Sequence, residues 1–229
     1  MALILSIETA TAVCSVALHE DGRLMAFHEL HQDNVHARSL MGLVRNVFEQ
    51  AGLEKTALDA VAVSSGPGSY TGLRIGVSVA KGLAYALDKP VIGVGTLEAL
   101  AFRAIPFSDS TDTIIPMLDA RRMEVYALVM DGLGDTLISP QPFILEDNPF
   151  MEYLEKGKVF FLGDGVPKSK EILSHPNSRF VPLFNSSQSI GELAYKKFLK
   201  ADFESLAYFE PNYIKEFRIV KSKKNPFLV

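Results

Sequence analysis

The stretch Val61-Ala-Val-Ser-Ser-Gly-Pro-Gly-Ser-Tyr-Thr-Gly-Leu-Arg-Ile-Gly-Val-Ser-Val-Ala-Lys-Gly-Leu-Ala-Tyr-Ala-Leu87 reads as a buried strand, a glycine-rich turn and a helix with almost no water-loving face. The β-branched run at 61–63 supplies the strand. Gly66, Pro67 and Gly68 break it, and Ser69 or Thr71 can cap the helix that follows. Between Leu73 and Leu87 the only charges are Arg74 and Lys81. A surface helix shows an apolar stripe and a polar back; one that is apolar nearly all round is covered on more than one side. Gly72, Gly76, Ala80 and Ala84 recur at i, i+4, so one face admits a close backbone, and Ile75, Val79 and Ala86 make a second apolar strip. The pattern predicts a helix held between its own sheet and a partner protein.

Working outward, strands are predicted over 2–7, 13–19 and 24–30, with Asp21-Gly22 as the hairpin between the last two. A helix over 36–51 ends at Gly52, and its apolar side is Leu40, Leu43, Val44, Val47 and Phe48. After the central stretch come a strand over 91–94 and a helix starting at Thr96. A Ser/Asp/Thr-rich loop over 107–113 then opens a second unit. Its predicted strands are 114–118, 124–130, 137–145, 159–163 and 180–183, with helices over 149–155, 168–173 and 190–203. Three strands followed by helix-strand-helix-strand thus occur twice. The expected division is a first lobe over 1–106 and a second over 107–229, with the last helix packing back on the first lobe and 208–229 as a tail.

The chain has 229 residues, 48% hydrophobic and 22% charged, with a net charge of −4. A protein that grips nucleic acid unaided carries a basic footprint, which is missing here. Lys215, Arg218, Lys221, Lys223 and Lys224 do collect near the end, and they read as a solvated terminus. Cys14 is alone in an apolar strand, so no internal disulfide forms and no basic group activates the thiol. No signal peptide or membrane span is legible, and the expected location is the cytoplasm.

Gly66, Gly68 and Gly72 give G-x-G-x-x-x-G, which is neither the dinucleotide fingerprint nor a P-loop, so the turn reads as structural. Glu8-Thr9-Ala10-Thr11-Ala12 resembles the first phosphate loop of the actin/Hsp70/sugar-kinase superfamily, and Leu118-Asp119-Ala120-Arg121-Arg122 stands at the equivalent place in the second unit. Two arginines add bulk where backbone should meet phosphate, so Glu8, Thr9, Asp119 and Arg121 are read as a vestigial nucleotide site. Glu8 and Asp119 are also the carboxylates that could meet across a cleft. The five histidines, His19, His28, His31, His36 and His175, include no i, i+4 pair for a helical metal clamp. Ser65 has no histidine placed to activate it. No catalytic residue, metal ligand or cofactor is assigned.

Ile7-Glu8-Thr9-Ala10-Thr11, Gly66-Pro67-Gly68-Ser69-Tyr70-Thr71-Gly72-Leu73-Arg74-Ile75-Gly76, Ala80-Lys81-Gly82-Leu83-Ala84, Thr96-Leu97-Glu98-Ala99-Leu100 and Asp119-Ala120-Arg121-Arg122-Met123-Glu124-Val125-Tyr126 together resemble the TsaB (YeaZ) family. The likeness is strong from residue 3 to about 130 and thins to Gly163-Asp164-Gly165 and Glu210-Pro211-Asn212-Tyr213-Ile214-Lys215. It implies an α/β, two-lobed actin-like ATPase (ASKHA, RNase H-like) fold, each lobe a mixed five-stranded sheet flanked by helices. It also implies a non-catalytic accessory subunit for threonylcarbamoylation of the adenosine beside the anticodon of ANN-decoding tRNAs. The implied partners are a catalytic paralogue, TsaD, and an ATPase, TsaE, with a homodimer when the chain is alone, tRNA reached only through the complex, and no membrane.

Where TsaD-like proteins have His-Leu-Glu-Gly-His, this chain has Thr96-Leu-Glu-Ala-Leu100, and a threonine and a leucine cannot chelate a metal. Glu8 replaces a usual aspartate, and Met123 a usual glycine. The expected partner contacts are Arg74, Ser78, Lys81 and Tyr85 on the second helix, with Arg38, Met41 and Arg45 on the first. The alternatives are an ATP-dependent kinase of the same superfamily and a glycoprotease-like peptidase.

Overall fold

The computed structural model describes residues 1–215; Arg218, Lys221, Lys223 and Lys224 of the basic tail lie outside them. The first sheet contains β1 (Leu3–Glu8), β2 (Val13–Glu20), β3 (Arg23–His31), β4 (Ala60–Gly66) and β5 (Val91–Gly95) in the order β3-β2-β1-β4-β5. The first three strands are antiparallel; β4 and β5 run parallel to β1. The second sheet contains β6 (Thr113–Asp119), β7 (Glu124–Asp131), β8 (Thr136–Ile144), β9 (Val159–Leu162) and β10 (Ser178–Val181). Its order, β8-β7-β6-β9-β10, and its directions repeat those of the first. Two such mixed five-stranded sheets with flanking helices make the two-lobed actin-like ATPase fold.

Every residue of β1 is buried, because helices cover both faces of its sheet. Side chains alternate across a strand. Leu5, Ile7, Val16, Leu18, Val61 and Val63 therefore pack beneath α1 (His36–Ala51) and α2 (Tyr70–Leu87). On the other face, Ile4, Ala60, Ala62 and Ile92 meet Ile190 and Ala194 of α6 (Ser187–Phe198). Helix α3 (Thr96–Phe102) is a wedge between the lobes. Its Ala99 joins the first sheet, while Leu97, Leu100 and Ala101 pack on Ile114, Leu118, Leu128 and Leu162 of the second. Phe150, Phe161 and Leu154, the last from α4 (Met151–Lys156), fill the far side of the second sheet. Cys14 is fully buried, and desolvation with a smaller push from the Glu8 charge raises its thiol to about 11.

Several element bounds differ from the sequence reading. The last helix starts three residues early, where the Ser186 hydroxyl caps Gln188 N–H, and ends at Phe198, ahead of Ala201 with φ 52°. The helix expected over 168–173 is the short α5 (Val166–Ser169), started by Pro167 in its first turn. Strand β10 begins at Ser178 rather than 180. Among the described residues no helix is long and apolar enough to cross a membrane.

Candidate functional site

Helix α2 is capped by Ser69, whose hydroxyl accepts from Gly72 N–H at 3.2 Å. The backbone that its small-residue stripe admits is the chain's own. A Cβ at Gly72 would lie 2.1 Å from the Thr9 carbonyl oxygen, and one at Gly76 would lie 2.2 Å from Thr9 Oγ1. Thr9 Oγ1 donates to the Gly72 carbonyl at 2.9 Å, which clasps the end of β1 to the helix. Ile75 and Val79 are half-buried against the same core, but Ala86 is exposed. The helix is therefore sealed on its sheet side and open on the other.

The open side carries Arg74, Ser78 and Tyr85, the last 79% exposed. Beside it α1, which packs on α2, exposes Arg38, Met41 (51%) and Arg45. Arg74 Nη1 donates to Tyr70 Oη at 2.5 Å, and Arg45 pairs with Glu49 one turn on at 3.6 Å. Lys81 differs from its neighbours. It is half-buried, and its ammonium donates to the carbonyls of Ala207 (3.3 Å) and Phe209 (3.0 Å), near the end of the described chain. Nothing in helical periodicity points to that contact, although the Glu210-Pro211-Asn212-Tyr213 motif lies just beyond it.

The four residues read as a nucleotide site are held in two local groups, Glu8 with Thr9 at the end of β1 and Asp119 with Arg121 at the end of β6. Glu8 is fully buried; its Oε1 accepts from Ala10 N–H at 2.6 Å, and desolvation pushes its carboxyl up to about 7 against lowering by hydrogen bonds from Ala10, Ser64 and Thr9. Thr9 is committed to α2. Asp119 is exposed and is held by Lys168 Nζ at 2.5 Å and by Arg121 N–H at 2.7 Å. Arg121 and Arg122 occupy left-handed backbone, φ 67° and 51°, in the β6–β7 turn. Among the described residues no hydrogen bond or ion pair joins Glu8 to Asp119. A cleft of about 230 Å³ between the lobes is lined instead by Thr11, Ala12, Val13, His31, Gln32, Asp33, Asp164 and Phe184. Burial raises the Asp164 carboxyl above its ordinary value, with a smaller contribution from the Asp119 charge. A phosphate entering there would face Asp33 and Asp164 with no lysine or arginine in the lining.

The family model described as TsaD, tRNA N6-adenosine threonylcarbamoyltransferase, matches residues 30–221. The Bacillus subtilis protein named tRNA threonylcarbamoyladenosine biosynthesis protein TsaB is 33% identical over 175 residues, 74% of this chain and 74% of that protein. The chain belongs to the TsaB family. The Escherichia coli TsaB is 41% identical over 123 residues, 54% of this chain; the match spans 52% of that relative, about half its length. A Pseudomonas aeruginosa crystal structure described as similar to the peptidase YeaZ superposes with a TM-score of 0.81 at 28% identity, covering 94% of this chain and 100% of that one.

In this TsaB-family chain Thr96 and Leu100, the two positions that the resemblance sets against TsaD-like histidines, have structural roles. Thr96 is buried, its Oγ1 accepting from Gly66 N–H at 3.1 Å and its carbonyl from Asn185 Nδ2 at 3.0 Å. Leu100 is fully buried in the inter-lobe core. One position therefore pins the Gly66 turn and the other fills space, so neither side chain is available as a metal donor. Among the described residues no three His, Cys, Asp or Glu side chains gather where they could hold a metal ion.

Proposed function

We propose that the chain is a non-catalytic accessory subunit for threonylcarbamoylation of the adenosine beside the anticodon of ANN-decoding tRNAs. It acts in the cytoplasm by pairing with a TsaD-type catalytic paralogue, recruits a TsaE-type ATPase to the pair, and homodimerises when alone. Its working units are the lobes 1–106 and 107–229, and tRNA is reached only through the complex. The observation that carries this reading is the open face of α1 and α2. Arg38, Met41, Arg45, Arg74, Ser78 and Tyr85 stay uncovered on a helix pair whose other sides are sealed. Tyrosine, methionine and arginine are the residue types enriched at interface cores. The family membership and the Thr96/Leu100 pair support a chain that leaves the transfer chemistry to its partner.

The test is reconstitution of tRNA threonylcarbamoylation with the paralogue and the ATPase, with and without this chain. Tyr85→Glu should abolish both pairing and stimulation while the variant melts as the parent does, since a charged residue would be driven into a standard interface of about 1,200–2,000 Å². Full modification without the chain, or unchanged assembly of Tyr85→Glu, refutes the proposal. The kinase alternative finds no support in a cleft lined by Asp33 and Asp164; tight ATP–magnesium binding by the isolated chain in calorimetry would revive it.

A further inference from the structure

Residues 204–213 form a strap that leaves the first lobe's edge and crosses α2. Glu204 N–H donates to the Val91 carbonyl at 2.9 Å, adding a bridge to the outer edge of β5. Phe209 (8% exposed) then joins the core of the first lobe, with Leu206 half-buried against it. The Tyr208 and Phe209 amides both donate to the Ser205 carbonyl, at 3.1 and 2.8 Å, closing a tight turn. Lys81 Nζ clamps the carbonyls on either side of Tyr208. Farther on, Asn212 N–H donates to the Ser65 carbonyl at 2.6 Å, and its own carbonyl lies 2.4 Å from where a Gly66 Cβ would be. Gly66, at φ 111°, is thus required both by its backbone and by the strap lying on it. The Tyr213 ring rests 5.0 Å from the Tyr70 ring at the start of α2.

This construction leaves one large side chain outside. Tyr208 is 86% exposed, while its neighbour Phe209 is buried and the turn beneath it is hydrogen-bonded. An aromatic residue held on a rigid turn offers contact area at little entropic cost, which is the character of an interface anchor. Lys81 ties that turn to α2 one helical turn before Tyr85, so the turn that carries Tyr208 is fastened beside the open face of that helix.

We propose that Tyr208 is a contact for the TsaD-type subunit, presented to it by the strap, and that Lys81 is a positioning residue that holds the strap. This rests on the partner surface proposed above and extends it onto a segment of the chain that no helix pattern marks. Lys81 serves the interface from behind, with its charge spent on two backbone carbonyls.

The test compares Tyr85→Ala, Tyr208→Ala, Tyr208→Phe and Lys81→Met for heterodimer affinity, melting temperature and deuterium exchange over 205–213. Tyr208→Ala should weaken the heterodimer about tenfold or more without moving the melting temperature, and Tyr208→Phe should restore most of the affinity. Lys81→Met should weaken it as well and speed exchange in the strap. If Tyr85→Ala weakens pairing and Tyr208→Ala does not, the strap proposal is overturned and the helix surface stands. If neither matters, the helix surface falls too. Loss of the homodimer alone with Tyr208→Ala would overturn the choice of partner, and slow strap exchange in Lys81→Met would overturn the role given to the lysine.

Discussion

Glu8 and His19 project from adjacent strands onto the face of the first sheet that α6 covers. His19 is paired in register with Ile4, and its ring lies against Gly191 of α6, where a Cβ would come within 2.0 Å of Nδ1. Burial shifts both groups toward their neutral forms, Glu8 from 4.5 up to about 7 and His19 from 6.5 down to about 4. Because the folded chain holds the Glu8 proton longer than the unfolded one, this contribution is complete below pH 4.5 and is lost as pH rises through 7. His19 works in reverse: its contribution is complete above 6.5 and is lost as pH falls through 4. Each is worth about 3 kcal/mol over its range, and between 4.5 and 6.5 the two slopes oppose each other. Urea unfolding from pH 4.5 to 7 should therefore show Glu8→Gln gaining stability as pH rises and His19→Gln losing it, with the parent flatter than either. Parallel curves for all three proteins would show that neither group titrates as its burial demands. From sequence, Glu8 was legible as the acid that ends the first strand, but its burial was not, because that depends on a helix some 180 residues away.

At the scale of the element, α2 shows what a spacing can and cannot say. Glycine and alanine at i, i+4 mark a close approach, and the approach is real. Periodicity carries no information about which backbone approaches, and here it is Thr9 of the same lobe. Lys81 was placed by the same logic on the face of Arg74, Ser78 and Tyr85, yet its ammonium is satisfied 126 and 128 residues along the chain. Two glycines of this helix separate the effects cleanly. Gly76→Ala would drive a methyl against Thr9 and Val63 in a site with no slack, costing about 1–3 kcal/mol. Gly82 is exposed and has nothing within 4 Å of its added Cβ, so Gly82→Ala should stabilise the isolated chain by up to about 1 kcal/mol through helix propensity. Denaturant midpoints of the two variants should move in opposite directions; a shift of the same sign would mean that the stripe does not pack as described.

Across the whole molecule, the repeated strand-strand-strand-helix-strand-helix-strand order was visible in turns and apolar runs, and it foretold both sheets. How the lobes are joined was less visible, since a short apolar run such as Leu97 to Ala101 does not announce which sheet it will cover. In the structure α3 divides its side chains between the two sheets, and α6, which follows the second sheet in the chain, packs on the first. Each lobe thus completes its core with an element next to the other, and neither can lose that element without exposing apolar surface. The consequence is cooperative unfolding. Leu100→Ala and Ile190→Ala, both at fully buried positions, should each cost about 2–5 kcal/mol and should lower the stability of both lobes together. Tyrosine fluorescence and far-ultraviolet circular dichroism would then give one coincident transition in the parent and in both variants. Two separated transitions, with only the first lobe weakened by Ile190→Ala, would mean that the lobes fold as independent units and that the wedge between them contributes little.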